Sequence, residues 1–281
     1  MLIGAIIGDI VGSKYEFNNN RTKDFIFFDE DMFFTDDTVM SVAIYTALSK
    51  TYKNNYRDLD KEVIKYMQLY GRIYQGRGYG GRFAKWIWET NPQPYNSYGN
   101  GSAMRVSSVP YFAKSLEEVK MLSKKVSEVT HNHEEGLKGA EATAVAIYLA
   151  LQGKDKKEIK KYIEDNYYSM DFDYENLKAT YKFNETCQDT VPQALYCFFE
   201  SKNFEDAIRI GISIGGDSDT LCAIIGAVAE AYYGIDKGIC KEALTYLDDH
   251  LEKKVAEAEN LEKKLIKQNK RRGSLWKKKK M

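Results

Sequence analysis

The sequence predicts an all-α protein. Apolar residues recur at helical spacing in one segment after another, and no segment shows the sustained alternation of a half-buried strand. With 281 residues, 43% of them hydrophobic, the chain is long enough for a sizeable core and is not disordered throughout. We therefore expect a compact, single-domain helical fold over residues 1–250, followed by an extension.

The first predicted helix has apolar residues at positions 2, 3, 6, 7, 10 and 11. Gly4, Gly8 and Gly12 share one edge of it, although each glycine costs a helix about 1 kcal/mol relative to alanine. This spacing indicates that another backbone or a ligand approaches the edge closely, and it predicts a central helix. Asp9 interrupts the apolar run well before the roughly 20 residues that a membrane span requires.

The same periodicity predicts further helices, separated by two loops rich in glycine and aromatic residues at 74–81 and 95–102. These helical segments are 39–48, 63–69, 116–129, 140–151, 191–199 and 221–233.

Residues 251–281 are interpreted as a basic C-terminal extension that is frayed or disordered. Ten of the 41 basic residues lie in 263–281, which has no acid, so the remaining 31 face 41 acids and the body is acidic. The body therefore gives no indication of a channel for long nucleic acid. The tail leaves nucleic acid open as a partner, but a solvated charge run is favoured. No membrane partner is expected.

The four cysteines lack CxxC spacing, which favours reduced thiols over disulfides or a zinc site. A cytoplasmic location is expected on this basis.

Two acidic clusters each precede a predicted helix, one at 35–38 and the other at 215–220. Threonine, aspartate and serine at a helix start satisfy free backbone amides, so N-capping is the simplest interpretation. A cap needs only one side chain, however, and each cluster has two carboxylates beside a threonine. The surplus acids therefore call for another explanation.

A pair of divalent cations supplies that explanation if the two clusters meet. Four carboxylates in contact would repel one another and raise each other's pKa unless cations neutralised them. The donors are carboxylate and hydroxyl oxygens, with no cysteine or histidine, which suits Mg²⁺ or Mn²⁺ and disfavours zinc. Two Mg²⁺ or Mn²⁺ ions are predicted, and such pairs commonly serve hydrolysis.

These motifs resemble those of the ADP-ribosylglycohydrolases, and the likeness extends over roughly residues 1–235. It rests on the stretch 4–13 with Glu16, on Thr35-Asp36-Asp37-Thr38, on the glycine-rich segment 99–105 and on Gly215-Gly216-Asp217-Ser218-Asp219-Thr220. The resemblance implies an all-helical fold with a binuclear metal site. It also implies hydrolysis of the bond between ADP-ribose and a protein side chain or small conjugate, with release of ADP-ribose.

The resemblance also assigns roles to residues. As metal ligands it implies Thr35, Asp36, Asp37, Asp217, Asp219 and Thr220. As catalytic residues it implies Glu16, on an early loop, with Asp36, Asp37 and Asp219. For the ADP-ribose pocket it implies Gly99, Gly101, Ser102, Met104 and His131.

Two alternatives stay open at this point. Clustered aspartates serve a two-metal phosphodiesterase or phosphatase equally well. A catalytically silent protein that only binds ADP-ribose is the other alternative, because a fold does not guarantee activity. The acceptor is also undetermined, with arginine, serine, a nucleic-acid end and a free metabolite all compatible with the sequence.

Overall fold

Within residues 1–279, whose backbone the structure describes, the chain forms helices and no β-strand. This computed structural model describes side chains for residues 1–267. The all-α prediction is confirmed. The α-helices are α1 (Ile3–Ser13), α2 (Asp36–Thr51), α3 (Leu59–Ile73), α4 (Gly81–Trp86), α5 (Val109–Phe112), α6 (Leu116–Ser127), α7 (Glu134–Leu151), α8 (Lys156–Asn166), α9 (Tyr174–Thr180), α10 (Cys187–Glu200), α11 (Phe204–Ile214), α12 (Ser218–Tyr233), α13 (Lys237–Leu244) and α14 (Asp249–Lys279).

Helix α1 lies at the centre of the fold, as its glycine spacing predicts. All of its residues are buried, and it packs along α12 through the glycine edge. A Cβ placed on Gly4, Gly8 or Gly12 would lie 1.9–2.3 Å from a carbonyl oxygen of α12. Only glycine permits this separation, because any side chain there would overlap the backbone of the other helix.

Helix α12 is the second central element. It packs against α1, α7, α10 and α11, and its residues are buried from Ser218 to Ala229. Helix α2 packs against α1 on another side. The two helices that follow the acidic clusters are therefore both in contact with α1, which sets their first turns near one another.

The expectation that the chain leaves the core after residue 250 is wrong for the start of α14. Leu251, Val255, Ala258 and Leu265 are all buried. They recur at helical spacing and form an apolar stripe within a Glu/Lys-rich sequence, and α14 packs against α2 and α5. The basic run from Lys270 onward lies outside the residues whose side chains are described, so its predicted disorder and partners stay predictions.

No helix in the described part of the chain combines the length and the hydropathy needed to cross a bilayer.

Candidate metal centre and adjoining cavity

The first cluster occupies the start of α2. Thr35 is the N-cap residue, and its side-chain oxygen accepts a hydrogen bond from the Asp37 backbone N–H at 3.3 Å. The capping interpretation therefore holds for Thr35. Asp36 and Asp37 occupy the first turn, where the helix dipole favours negative charge. Neither carboxylate is needed as a cap, so both are available for another function.

The second cluster occupies the start of α12, after a sharp turn. Gly215 and Gly216 have φ values of 71° and 85°, in a region that favours glycine. Asp217 is the N-cap residue, yet its side chain makes no capping hydrogen bond. Its carboxylate accepts instead from the Asn100 side-chain amide at 2.7 Å. This turn and this amide together aim Asp217 away from its own helix.

The two clusters meet. The Thr220 hydroxyl donates a hydrogen bond to Oδ2 of Asp37 across 3.1 Å, joining the starts of α12 and α2. Around this contact, carboxylates form two groups of three residues. Within each group, one carboxylate oxygen from each residue lies within 4.8 Å of the other two. The first group is Asp9, Asp37 and Asp219, and the second is Glu16, Asp217 and Asp219.

The metal-free cluster is electrostatically strained. Burial raises the pKa of Asp36, Asp37 and Asp219 well above the usual range, and neighbouring carboxylates raise it further. Burial also raises the pKa of Asp217 to about 6, although hydrogen bonds with Asp219 and Asn100 oppose the shift. A cation would remove this repulsion.

The donor set fits a hard divalent cation. Oδ1 of Asp37 is buried and has no hydrogen-bond partner among the described residues, which is costly for a carboxylate oxygen. Its neighbours offer further carboxylate oxygens and the Thr220 hydroxyl, the ligands that Mg²⁺ and Mn²⁺ prefer. The residues present therefore fit a metal site.

Asp9 of α1 orients the first cluster. Its carboxylate accepts hydrogen bonds from the Thr35 backbone N–H at 2.9 Å, the Thr35 hydroxyl at 2.6 Å and the Thr38 backbone N–H at 3.0 Å. These contacts hold the first turn of α2 against α1. Asp9 thus positions the residues that present Asp36 and Asp37.

Glu16 reaches the second cluster from the loop after α1. Asn19 anchors this loop by donating to the carbonyl oxygens of Tyr15 at 2.7 Å and Gly216 at 2.9 Å. The anchored loop places the half-buried Glu16 carboxyl beside Asp217 and Asp219. Burial, followed by the charges of Asp219, Asp9 and Glu185, raises the pKa of Glu16 to about 8 in the metal-free site.

An open cavity adjoins the acidic cluster. Its lining includes predicted metal or catalytic residues, namely Glu16, Asp36, Asp37, Asp217, Asp219 and Thr220. It also includes four predicted pocket residues, Gly99, Gly101, Met104 and His131. Thr35 and Ser102 are not part of the lining. The Thr35 hydroxyl donates to Asp9, and the Ser102 hydroxyl donates to the Gly136 carbonyl oxygen at 2.7 Å.

A family model described as ADP-ribosylglycohydrolase matches residues 1–274. The chain belongs to the ADP-ribosylglycohydrolase family. It is thereby a hydrolase of ADP-ribosyl glycosidic bonds by class, which confirms the resemblance seen in the sequence.

Relatives within the ADP-ribosylglycohydrolase family are distant in sequence. The human protein named ADP-ribosylhydrolase ARH3 is 25% identical, covering 84% of this chain and 85% of its own length. The Pseudomonas putida protein named ADP-ribosylarginine hydrolase Tri1 is 26% identical, covering 83% of this chain and 70% of its own. A solved structure titled ADP-ribosylglycohydrolase-related protein complex superposes with a TM-score of 0.66 at 21% identity, covering 91% and 94% of the two chains. That structure supports the fold.

His131 lies in the cavity of this glycohydrolase as an uncharged imidazole. Burial, and then the charge of Arg105, lower the pKa of His131 well below its usual value. Its Nδ1 lies 2.8 Å from the Thr130 hydroxyl, which accepts a hydrogen bond from Arg105 at 2.7 Å. Its Nε2 faces the glycine-rich loop, 3.5 Å from where a Cβ on Gly101 would stand. The ring therefore presents a neutral polar atom to this part of the cavity.

Several cavity residues escaped the sequence analysis. Tyr95, Arg82 and Glu185 line the cavity, and Asn100 lines it while holding Asp217. Tyr95 lies in the aromatic loop that the sequence marked, with its ring 6.2 Å from that of His131. That loop and the earlier one each contain two tyrosines, so composition alone does not single out Tyr95.

Replacing Asp9 by asparagine should reduce hydrolysis and Mn²⁺ affinity by about 10- to 100-fold, a typical effect of removing a partner that orients metal ligands. In Asp9 a carboxylate oxygen accepts hydrogen bonds from the backbone N–H groups of Thr35 and Thr38. The amide nitrogen of asparagine is itself a donor, so it cannot replace that oxygen as an acceptor. Steady-state kinetics and calorimetric Mn²⁺ titration measure the effect. Asp165→Asn, in an exposed ion pair with Lys161, is the matched control. Unchanged activity in Asp9→Asn would contradict the positioning role.

Proposed function

We propose that this protein is a metal-dependent hydrolase that cleaves the glycosidic bond between ADP-ribose and an acceptor, releasing ADP-ribose. The acceptor is a modified protein side chain or a small conjugate. The observation that carries the proposal is the contact between Thr220 and Asp37, which brings two acidic helix starts together on one wall of a cavity. The names of two relatives, an ADP-ribosylhydrolase and an ADP-ribosylarginine hydrolase, are consistent with it.

The proposed metal ligands are the threonine and aspartate side chains of the two clusters, Thr35, Asp36, Asp37, Asp217, Asp219 and Thr220. A pair of Mg²⁺ or Mn²⁺ ions bound there would orient substrate hydroxyls and polarise reacting oxygen atoms. Thr35 takes part through a remaining lone pair, since its hydroxyl hydrogen is donated to Asp9. The hydrogen bond from the Asn100 side-chain amide fixes the orientation of the Asp217 carboxylate.

The protein groups suit a transition state with oxocarbenium character. Positive charge develops on the ribose carbon as the glycosidic bond breaks, and carboxylates placed beforehand stabilise it. In this proposal Asp36, Asp37 and Asp219 supply these carboxylates. Glu16, on its anchored loop, lies beside Asp217 and Asp219 on the cavity wall, and in this proposal it holds or moves a proton at the scissile bond.

The glycine-rich segment and its neighbours are proposed to bind the rest of ADP-ribose. Gly99, Gly101 and Met104 line the cavity, and His131 faces them. Arg105 and Arg82 lie on this side, where Arg82 donates to the Tyr95 carbonyl oxygen at 3.3 Å. Positive charge here suits the phosphates. Ser102 supports the loop from behind through its bond to Gly136.

We place the protein in the cytoplasm in this proposal, a location supported by four free cysteines in the structure.

A substrate panel read by mass spectrometry tests the proposal. The wild-type protein is incubated with ADP-ribosylated arginine and serine peptides and, separately, with phosphodiesters, in Mg²⁺, in Mn²⁺ and in EDTA. Intact ADP-ribose should appear with metal and should not appear in EDTA. Release of AMP or phosphate in place of ADP-ribose would overturn the proposal in favour of a phosphodiesterase or phosphatase. Binding of ADP-ribose without turnover of any substrate would overturn it in favour of a silent binding protein.

A further inference from the structure

The two ring nitrogens of His131 have different surroundings. His131 lines the cavity and is only 5% exposed. Its Nδ1 lies 2.8 Å from the Thr130 hydroxyl, whereas no residue in the described part of the chain forms a hydrogen bond with its Nε2. Buried polar atoms rarely lack a hydrogen-bond partner. Nε2 is therefore the atom through which we expect this ring to contact a bound molecule.

Arg105 fixes the direction of the hydrogen bonds that lead to the ring. Its guanidinium carries N–H donors and no acceptor, and it donates to the Thr130 hydroxyl oxygen at 2.7 Å. The single hydroxyl hydrogen of Thr130 is then left for another acceptor. One such acceptor, the Ser127 carbonyl oxygen, is 3.5 Å away and already accepts from two backbone N–H groups. Nδ1 of His131 is closer, so the Thr130 hydroxyl donates to Nδ1.

This hydrogen-bond direction sets the tautomer of His131. Burial and the nearby charge of Arg105 lower the pKa of the ring, which keeps it uncharged. An uncharged imidazole carries one hydrogen, and a nitrogen that accepts a hydrogen bond cannot hold it. Because Nδ1 accepts from Thr130, the hydrogen is on Nε2. His131 thus offers a neutral N–H donor of fixed direction to the cavity.

Two glycines leave space beside this donor. A Cβ on Gly99 would lie 3.6 Å from Nε2 of His131, and a Cβ on Gly101 would lie 3.5 Å from it. These are ordinary van der Waals distances, so a methyl group at either position would occupy the space in front of the nitrogen. The loop is also tied to Thr130, whose carbonyl oxygen accepts from the Tyr95 backbone N–H at 3.3 Å. The donor and the space in front of it therefore have a fixed geometry.

We propose that Thr130 is a positioning residue that holds His131 in the Nε2–H tautomer, so that the ring donates a hydrogen bond to a phosphate oxygen of ADP-ribose. This inference rests on the proposed function, in which the glycine-rich segment binds that part of the molecule. Thr130 is fully buried and is not part of the cavity lining, so it acts only through His131.

Nitrogen NMR of the full chain, labelled with ¹⁵N at histidine, tests the tautomer directly. The sequence has only three histidines, and loss of one set of signals in His131→Asn assigns the ring. His133 is an internal reference, because its Nδ1 accepts from the Glu135 backbone N–H at 3.1 Å. Wild-type His131 should show hydrogen on Nε2 alone, and that proton should shift when ADP-ribose is added. Thr130→Val should populate both tautomers, whereas Thr130→Ser should keep the wild-type pattern.

Calorimetric titration with ADP-ribose in Mg²⁺ measures the consequence for binding. Thr130→Val should raise the Kd about tenfold, the scale of one hydrogen bond to a charged group, and Thr130→Ser should stay within about twofold of wild type. Thr143→Val is the matched control. Thr143 is also fully buried, lies outside the cavity lining, and has a hydroxyl with no partner among the described residues. It should leave the Kd unchanged.

The results separate this inference from the proposed function. Hydrogen on Nδ1 of wild-type His131, or wild-type affinity in a folded Thr130→Val, would overturn the positioning role and leave the glycohydrolase proposal standing. The wild-type tautomer decides the matter even where Thr130→Val does not fold. Absence of ADP-ribose binding to the wild-type protein would overturn both.

Discussion

Replacing Asp219 by asparagine is expected to reduce kcat/KM for ADP-ribose release on the order of 10³-fold or more while the protein stays folded. Asp219 belongs to both groups of clustered carboxylates, so this one change removes a charged donor from each. Asparagine keeps the shape of the side chain and relieves repulsion with Asp217 and Asp9. The metal-free variant should therefore unfold at the same temperature as the metal-free wild type, or higher.

Kinetics, Mn²⁺ affinity and thermal unfolding in EDTA are measured together for this variant. Loss of activity with the folded state retained would separate a role in the site from a role in stability. Asp165→Asn again serves as the control, since its carboxylate is exposed on α8. Wild-type turnover in Asp219→Asn, or lost turnover caused by unfolding, would contradict the assignment.

Replacing Gly8 by alanine is expected to lower the free energy of unfolding by about 3 kcal/mol or more. The added Cβ would lie 1.9 Å from the Cys222 carbonyl oxygen and 2.3 Å from its carbonyl carbon, both backbone atoms of α12. Neither can move without shifting the helix. Because α1 carries Asp9 and α12 carries Asp219, separation of these helices should also weaken metal binding.

Urea unfolding followed by circular dichroism measures the Gly8→Ala effect. The matched variant is Gly81→Ala at the start of α4, where a Cβ would meet no atom within 4 Å. Alanine there should leave stability unchanged or raise it by up to about 1 kcal/mol. Equal stability of Gly8→Ala and wild type would show that the close packing of α1 on α12 is not required.

The sequence predicted the central packing because that information is local. Three glycines on one edge of an apolar helix have few explanations besides close approach, and the structure shows α12 there. The acidic clusters were predictable for a similar reason, since two carboxylates at a helix start exceed what capping needs. The surplus of carboxylates therefore identified both clusters without any knowledge of their neighbours in the fold.

Elements that depend on a few apolar residues in a charged or polar background were not predictable from the sequence. In α14 the charged residues outnumber the buried ones, so the stripe through Leu251, Val255, Ala258 and Leu265 was overlooked. Helix α11 was also missed, although Asn203 caps it and its isoleucines face the core. Short helices bounded by polar residues give weak periodicity, and tertiary packing stabilises them.

The cavity beyond the acids could not be predicted, because it is assembled from separate loops. Tyr95 and His131 approach each other only through folding. Each of these residues alone is an ordinary aromatic or polar residue in a loop. Their significance comes from the neighbours that the helical scaffold supplies.

Isothermal titration of metal-free protein with Mn²⁺ tests most directly whether the joined helix starts form a binuclear centre. Two ions should bind per chain, and neither the full stoichiometry nor the activity should survive in Asp219→Asn. Absence of Mn²⁺ binding to the wild-type protein would contradict a binuclear centre at the joined helix starts.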